Sequence, residues 1–313
     1  MFLRMDQPLY DMACQKSKAL QIGTEYRLPF EFVVPAELLP YACQKHHRHE
    51  KVHWEHLQLP PSLRKSSQRY DEQTEDMTTR AIAIQYHVRF KILERSQKHG
   101  RLLTIGDWTQ PVHIRSPRLE RAPLLVLQNS KFYCLSQQKH ITRGLCRRRL
   151  GLLSAQTTTQ LSIDQGEISA VRPIKINLKC NTTARSPLPK LSRIQLELNA
   201  LTSFCLTPWS DFPDLTEPST WDRHNDYREH TICLKPATLA FLHWRRDPGV
   251  RDTEYTATLE MPITFPSHLP SIPTFYSCLA ARTYSLRISL CFVVEEQRSK
   301  TSTVSLTIPL QIC

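Results

Sequence analysis

At 313 residues the chain is longer than most single domains, so two domains of about 150 residues each are expected. No run approaches the roughly 20 apolar residues that a helical membrane span needs, and Arg4 and Asp6 interrupt the apolar start, so no secretory leader is expected. A formal charge of +12 favours acidic partners, whether nucleic acid, anionic headgroups or phosphorylated and acidic peptides, but no nucleic-acid-reading motif accompanies it.

In chain order, the first strong pattern lies between Gly23 and Pro35. Tyr26, Leu28, Phe30, Phe32 and Val34 fall on one side of an extended strand, and Arg27, Pro29, Glu31 and Val33 on the other. The first set is expected to be buried. Next, Ile82, Ile84, Tyr86, Val88, Phe90 and Ile92 alternate with polar neighbours, and Leu124-Leu125-Val126-Leu127 reads as a last strand before a break near 130–142. A new set opens with Leu150-Gly151-Leu152-Leu153, then Leu161 and Ile163. Period-two runs follow at Ile174–Leu178, Ile194–Leu198, Tyr255–Phe265, Tyr284–Val294 and Val304–Ile312. A helix needs period 3.6, which none of these runs has, so the expected fold is all-β, built from strands with one dry and one wet face. The stretch from Thr207 to His230, rich in Asp, Pro and Trp, reads as a long loop.

Only 7 glycines stand against 22 prolines, which leaves no Gly-x-Ser-x-Gly elbow, Gly-x-Gly-x-x-Gly or phosphate loop. Ten cysteines at irregular spacing, with no Cys-x-x-Cys, suggest reduced and buried thiols, Cys180 and Cys291 above all. Asn181-Thr182-Thr183 matches a glycosylation acceptor by chance.

Three groups invite chemistry. His49-Glu50-Lys51-Val52-His53 is a literal HExxH, which on a helix offers two imidazoles one turn apart for zinc and Glu50 as general base. Pro40 and Pro60-Pro61 bracket it too closely for a long helix, and no third ligand is specified. His46, His47, His49, His53 and His56 crowd so closely that short His motifs arise by chance. No metal site and no cofactor are expected, and a solvated loop is preferred to a zinc metallopeptidase. Asp211, Asp214 and Glu217 read as a solvated acidic loop. Arg147, Arg148 and Arg149 are the candidate partner-binding residues, able to grip an anionic lipid headgroup or a phosphorylated tail; a charged, aggregation-proof strand edge is the simpler explanation.

Several motifs together resemble the arrestin-like trafficking adaptors, specifically the fungal members. Gly23-x-x-Tyr26-x-x-Pro29-Phe30-x-Phe32-x-x-Pro35 precedes a turn with the paired leucines Leu38 and Leu39. His56-Leu57-x-Leu59-Pro60-Pro61-Ser62 follows. Near the end come Pro273, Phe275, Ser277, Arg282, Tyr284 and Leu286 in the family's spacing. The resemblance implies two tandem immunoglobulin-like β-sandwiches, a partial one over residues 1–135 and a second over 136–313. It further implies a non-enzymatic cytoplasmic adaptor, peripheral at the plasma membrane or endosomes. Such a protein binds cytosolic tails of membrane cargo for ubiquitin-dependent endocytosis. The family's Pro-Pro-x-Tyr motif is missing, since Pro60-Pro61 runs into Ser62-Leu63, so recruitment of a ubiquitin ligase does not carry over. A partner-binding scaffold without a ligase link is the other expectation. The Phe2 to Pro8 opening resembles the middle of the family's first domain, so several early strands are expected to be missing.

Overall fold

The computed structural model describes residues 3–7, 23, 25–43, 49–63, 82–96, 100–115, 133–143, 148–164, 172–182, 187–213, 225–235, 242–246, 254–265, 272–294 and 301–313. Among them the chain is mostly β, with sheets in a sandwich-like arrangement and one α-helix. No helix among the described residues is long and apolar enough to cross a membrane.

The later residues build two facing sheets. One carries β3 (Ser136–Arg143), β4 (Arg148–Gln156), β6 (Arg172–Thr182), β10 (Glu254–Ile263) and β9 (Arg245–Arg246), in the order β3-β4-β6-β10-β9. The other runs β5-β13-β12-β7-β8, from β5 (Leu161–Ile163), β13 (Ser302–Ile312), β12 (Ala280–Val293), β7 (Lys190–Cys205) and β8 (Asn225–Leu234). The short β11 (Phe275–Tyr276) pairs with β12. Pairing is antiparallel throughout except β5 with β13. The alternation read from sequence becomes the core. Ile174, Ile176, Leu178 and Cys180 of β6 and Leu259, Met261 and Ile263 of β10 meet Ile194, Leu196 and Leu198 of β7 and Leu286, Ile288 and Leu290 of β12. Each such burial stabilises the fold by about 1.5–3 kcal/mol. Outer-face pairs such as Lys179–Glu254 at 3.6 Å and Arg287–Glu197 at 3.7 Å join an exposed cation to a half-buried carboxylate at the surface and contribute little. Gly151 of β4 lies opposite Thr182 of β6. A Cβ there would sit 2.2 Å from the Asn181 carbonyl oxygen, so no larger residue fits without moving a strand.

The earlier residues look different. Their one regular sheet among the described residues is a hairpin, β1 (Tyr86–Arg95) with β2 (Leu102–Val112). The sequence placed the start of this strand at Ile82, but regular pairing begins at Tyr86, because Ile84 instead exchanges backbone hydrogen bonds with Leu63 (2.7 and 2.9 Å). The segment from Tyr26 to Val34 forms no strand, and Phe30 is 55% exposed. Among the described residues no strand pairs with it, and the Phe30 and Phe32 ring centroids lie 5.9 Å apart. The expectation of a buried face fails there. The long loop also ends sooner than expected, because β8 starts at Asn225. As an edge strand lying on β7 alone, β8 keeps exposed polar residues and shows no clean alternation. Leu124 to Leu127 lie outside the described residues.

Candidate functional site

Two of the sequence motifs meet in space. Helix α1 (Glu50–Leu57) delivers His56 and then the segment Gln58–Leu63, buried throughout. A short ladder fixes its start: the Leu38 N–H donates to the Leu57 carbonyl at 2.6 Å, and the Leu59 N–H to the Ala36 carbonyl at 3.0 Å. Of the paired leucines, Leu38 is buried and Leu39 is exposed. Pro60 and Pro61 donate no N–H, yet the Pro60 carbonyl accepts from the Tyr86 hydroxyl at 2.7 Å. Ser62 is held on both sides, its N–H donating to the Ile114 carbonyl and its Oγ accepting from the Ile114 N–H, both at 2.9 Å. Leu63 and Ile84 then join Ile272, Phe275 and Ala280 in one buried apolar cluster. The first motif is thereby packed against the β11–β12 corner that carries the second.

That corner is tightly organised. Ser277 Oγ donates to the Ala280 carbonyl at 2.8 Å, closing the turn, and the Tyr284 hydroxyl donates to the Ile272 carbonyl at 2.7 Å. Arg282 is fully buried. Its Nε donates to the Tyr284 hydroxyl at 3.2 Å and its Nη1 to Thr202 Oγ1 at 2.5 Å, with the guanidinium carbon 5.2 Å from the Tyr284 ring centroid. Arg282 Nη2 has no hydrogen-bond partner among the described residues. A buried guanidinium held by hydroxyls and an aromatic face fixes register at this corner, since any slip strands its charge.

The hairpin beside it presents an open surface. Tyr86, Val88, Phe90 and Ile92 share a face with Val112, Trp108 and Gly106 across the register. Trp108 is 56% exposed, lies over Gly106 and sits 5.9 Å from the Phe90 ring. A Cβ on Gly106 would fall 2.4 Å from the Trp108 ring, so glycine is what lets the indole lie flat. On the opposite face Arg89 grips Asp107 through two nitrogens, one at 2.7 Å, and this hydrogen bond above all holds the Asp107 carboxyl below its ordinary range. Half the N–H and C=O groups of β1 and β2 point away from the shared ladder, so each strand has a free edge among the described residues.

No protein-family model matches the chain, and no curated protein does.

The residues singled out from sequence scatter. Arg149 is exposed on β4, opposite Thr142, and Arg148 precedes it in the same strand; Arg147 lies outside the described residues. His49 has extended backbone (φ −135°) and precedes α1, while His53 lies within it. Glu50 opens the helix. Asp211 turns back to accept its neighbour Phe212's N–H at 2.8 Å; Asp214 and Glu217 lie outside the described residues. Cys180 and Cys291 are buried and free, as their strands implied. Sequence reasoning missed a cluster of Cys43, His56 and Cys278, whose possible ligand atoms all lie within 4.8 Å of one another. Burial, followed by the neighbouring Cys43, holds the Cys278 thiol well above its usual range. No spacing rule could have found a set separated by 13 and 222 positions.

Proposed function

We propose that this chain is a non-enzymatic adaptor of arrestin-like design, with tandem immunoglobulin-like units over residues 1–135 and 136–313. It binds extended cytosolic segments of membrane-protein cargo at the cytoplasmic side of the plasma membrane or endosomes. The observation that carries this is the pairing of a two-sheet body with a hairpin that, among the described residues, keeps both an apolar face and free strand edges open. Such an edge accepts an added strand through its main chain, while the exposed rings of Phe90 and Trp108 meet its side chains. The +12 charge suits acidic or phosphorylated tails. In support, two of the three motifs that resemble that family, the one from His56 and the one from Pro273, pack together at the β11–β12 corner instead of lying apart. A role in ubiquitin-dependent endocytosis then requires a ligase link other than Pro-Pro-x-Tyr; without one the chain is a partner-binding scaffold.

The test is fluorescence anisotropy with a panel of labelled cytosolic-tail peptides, with and without phosphate. Binding that weakens about tenfold or more on Trp108→Ala, the loss of an interface anchor, is expected. A panel with no binder, or binding indifferent to Trp108 and Phe90, would refute it. Capture of a HECT-type ligase from extract then separates adaptor from scaffold.

A further inference from the structure

We propose that Cys43, His56 and Cys278 form a binding site for one soft d10 cation, zinc or copper(I), which clips the segment around α1 onto the turn between β11 and β12. Each ligand comes from a different piece of backbone. Cys43 follows the 3-10 turn Pro40–Ala42, His56 sits in the last turn of α1, and Cys278 lies in the tight turn closed by Ser277. All three are buried.

The spacing is that of a coordination shell. Cys43 Sγ and His56 Nδ1 lie 3.6 Å apart. A tetrahedral centre with metal–sulfur and metal–nitrogen bonds of about 2.3 and 2.1 Å separates those two donors by about 3.6 Å, and two sulfurs by about 3.8 Å. The third donor falls within the same 4.8 Å envelope. Two thiolates and an imidazole are a soft donor set that selects zinc or copper(I) over magnesium or calcium. Among the described residues it is the one grouping of three or more such side chains that can close around an ion. Coordination would replace two thiol protons, released to solvent, with two metal–sulfur bonds and leave the metal's oxidation state unchanged. Three protein donors complete a trigonal copper(I) site, or leave zinc one position for a small exogenous ligand. His49 and His53 take no part in this grouping, so the literal HExxH plays no role in it.

The clip has a structural consequence. His56 and Cys278 are 222 residues apart, and Cys278 Sγ already leans toward the His56 carbonyl at 3.9 Å. A cation there ties the segment that carries Gln58–Leu63 to the sandwich, and chelation should loosen it.

The test uses the full chain purified under reducing conditions. The metal-free protein is titrated with cobalt(II) as a zinc probe and, without air, with copper(I); metal content is read by mass spectrometry. Expected are saturation at one metal per chain, a thiolate-to-cobalt charge-transfer band with tetrahedral d–d bands, and a lower melting midpoint on chelation. Cys43→Ser and Cys278→Ser should each abolish the charge-transfer band or cut it severely, while Cys180→Ser, buried elsewhere in the core, should keep it. Stronger retention of cobalt or of copper(I) against graded chelators tells which cation the site takes. Because the wild-type spectrum is read first, variants that fail to fold do not remove the test. A wild-type titration with no thiolate band overturns the proposal. So does a Cys43–Cys278 disulfide in protein kept from air, or metal binding lost on His49→Asn and His53→Asn but retained by both cysteine variants.

Discussion

Truncating Phe275 should cost far more than truncating Phe30, although the sequence pattern places Phe30 on a buried strand face. Phe275 is fully buried where β11 meets Leu63 and Ile84, so Phe275→Ala removes a ring and leaves a cavity that the Ser277 turn cannot easily collapse. Such truncations cost about 3–5 kcal/mol, which for a unit of this size lowers the melting midpoint by about 6–20 °C. Phe30 is 55% exposed, and Phe30→Ala should stay within about 0.5 kcal/mol. The assay is a reversible melt followed by near-ultraviolet circular dichroism, with urea titration to confirm an unchanged m-value. Leu63→Ala reaches the same cluster from the other motif, so the double variant should be non-additive by about 0.5–3 kcal/mol. Additive effects, or a Phe30→Ala loss equal to that of Phe275→Ala, would refute the docking of the two motifs.

Arg89 holds the Asp107 carboxyl below its ordinary range. The pair therefore steadies the hairpin at pH values above the usual carboxylate range, and that contribution fades as pH falls through the lowered Asp107 value. Carbon-detected NMR titration should show Asp107 protonating late, and Arg89→Ala should move it back toward normal. Burial pushes the Cys180 thiol up to about 12, whereas Cys233 is exposed on β8. Alkylation at pH 8 followed by mass spectrometry should mark Cys233 in the native protein, and Cys180 only after denaturant. The open apolar face of the hairpin should drive self-association, so Trp108→Ser should sharpen a size-exclusion profile that is broad for the unaltered chain.

The sandwich was legible because its strands pay attention to one variable. Wherever Ile, Leu and Val alternate with polar residues from Ile174 to Ile312, a second sheet covers the apolar side, so period two and burial coincide. The same alternation at Tyr26–Val34 misleads, because pattern describes what a face can bury and not whether a partner strand exists to bury it. Strand β2 gave little signal, since Thr104, Gly106 and Gln110 dilute its apolar side. Strand β8 gave less, as an edge with both faces partly wet. The junction was half legible. His56–Ser62 and Pro273–Leu286 stood out as motifs, but their contact is long-range. The Cys43, His56 and Cys278 grouping lay beyond sequence reasoning altogether, because only the fold brings a turn, a helix end and a β-corner together.

Hydrogen exchange on the full chain, with and without a saturating cytosolic-tail peptide identified by anisotropy, tests the central claim most directly. An added strand must pair with outward N–H groups of β1 or β2, so amides of Tyr86–Arg95 or Leu102–Val112 should slow on binding while those of β6, β7 and β12 stay as they were. Protection confined to the sandwich, with the hairpin exchanging as fast as before, would contradict the account.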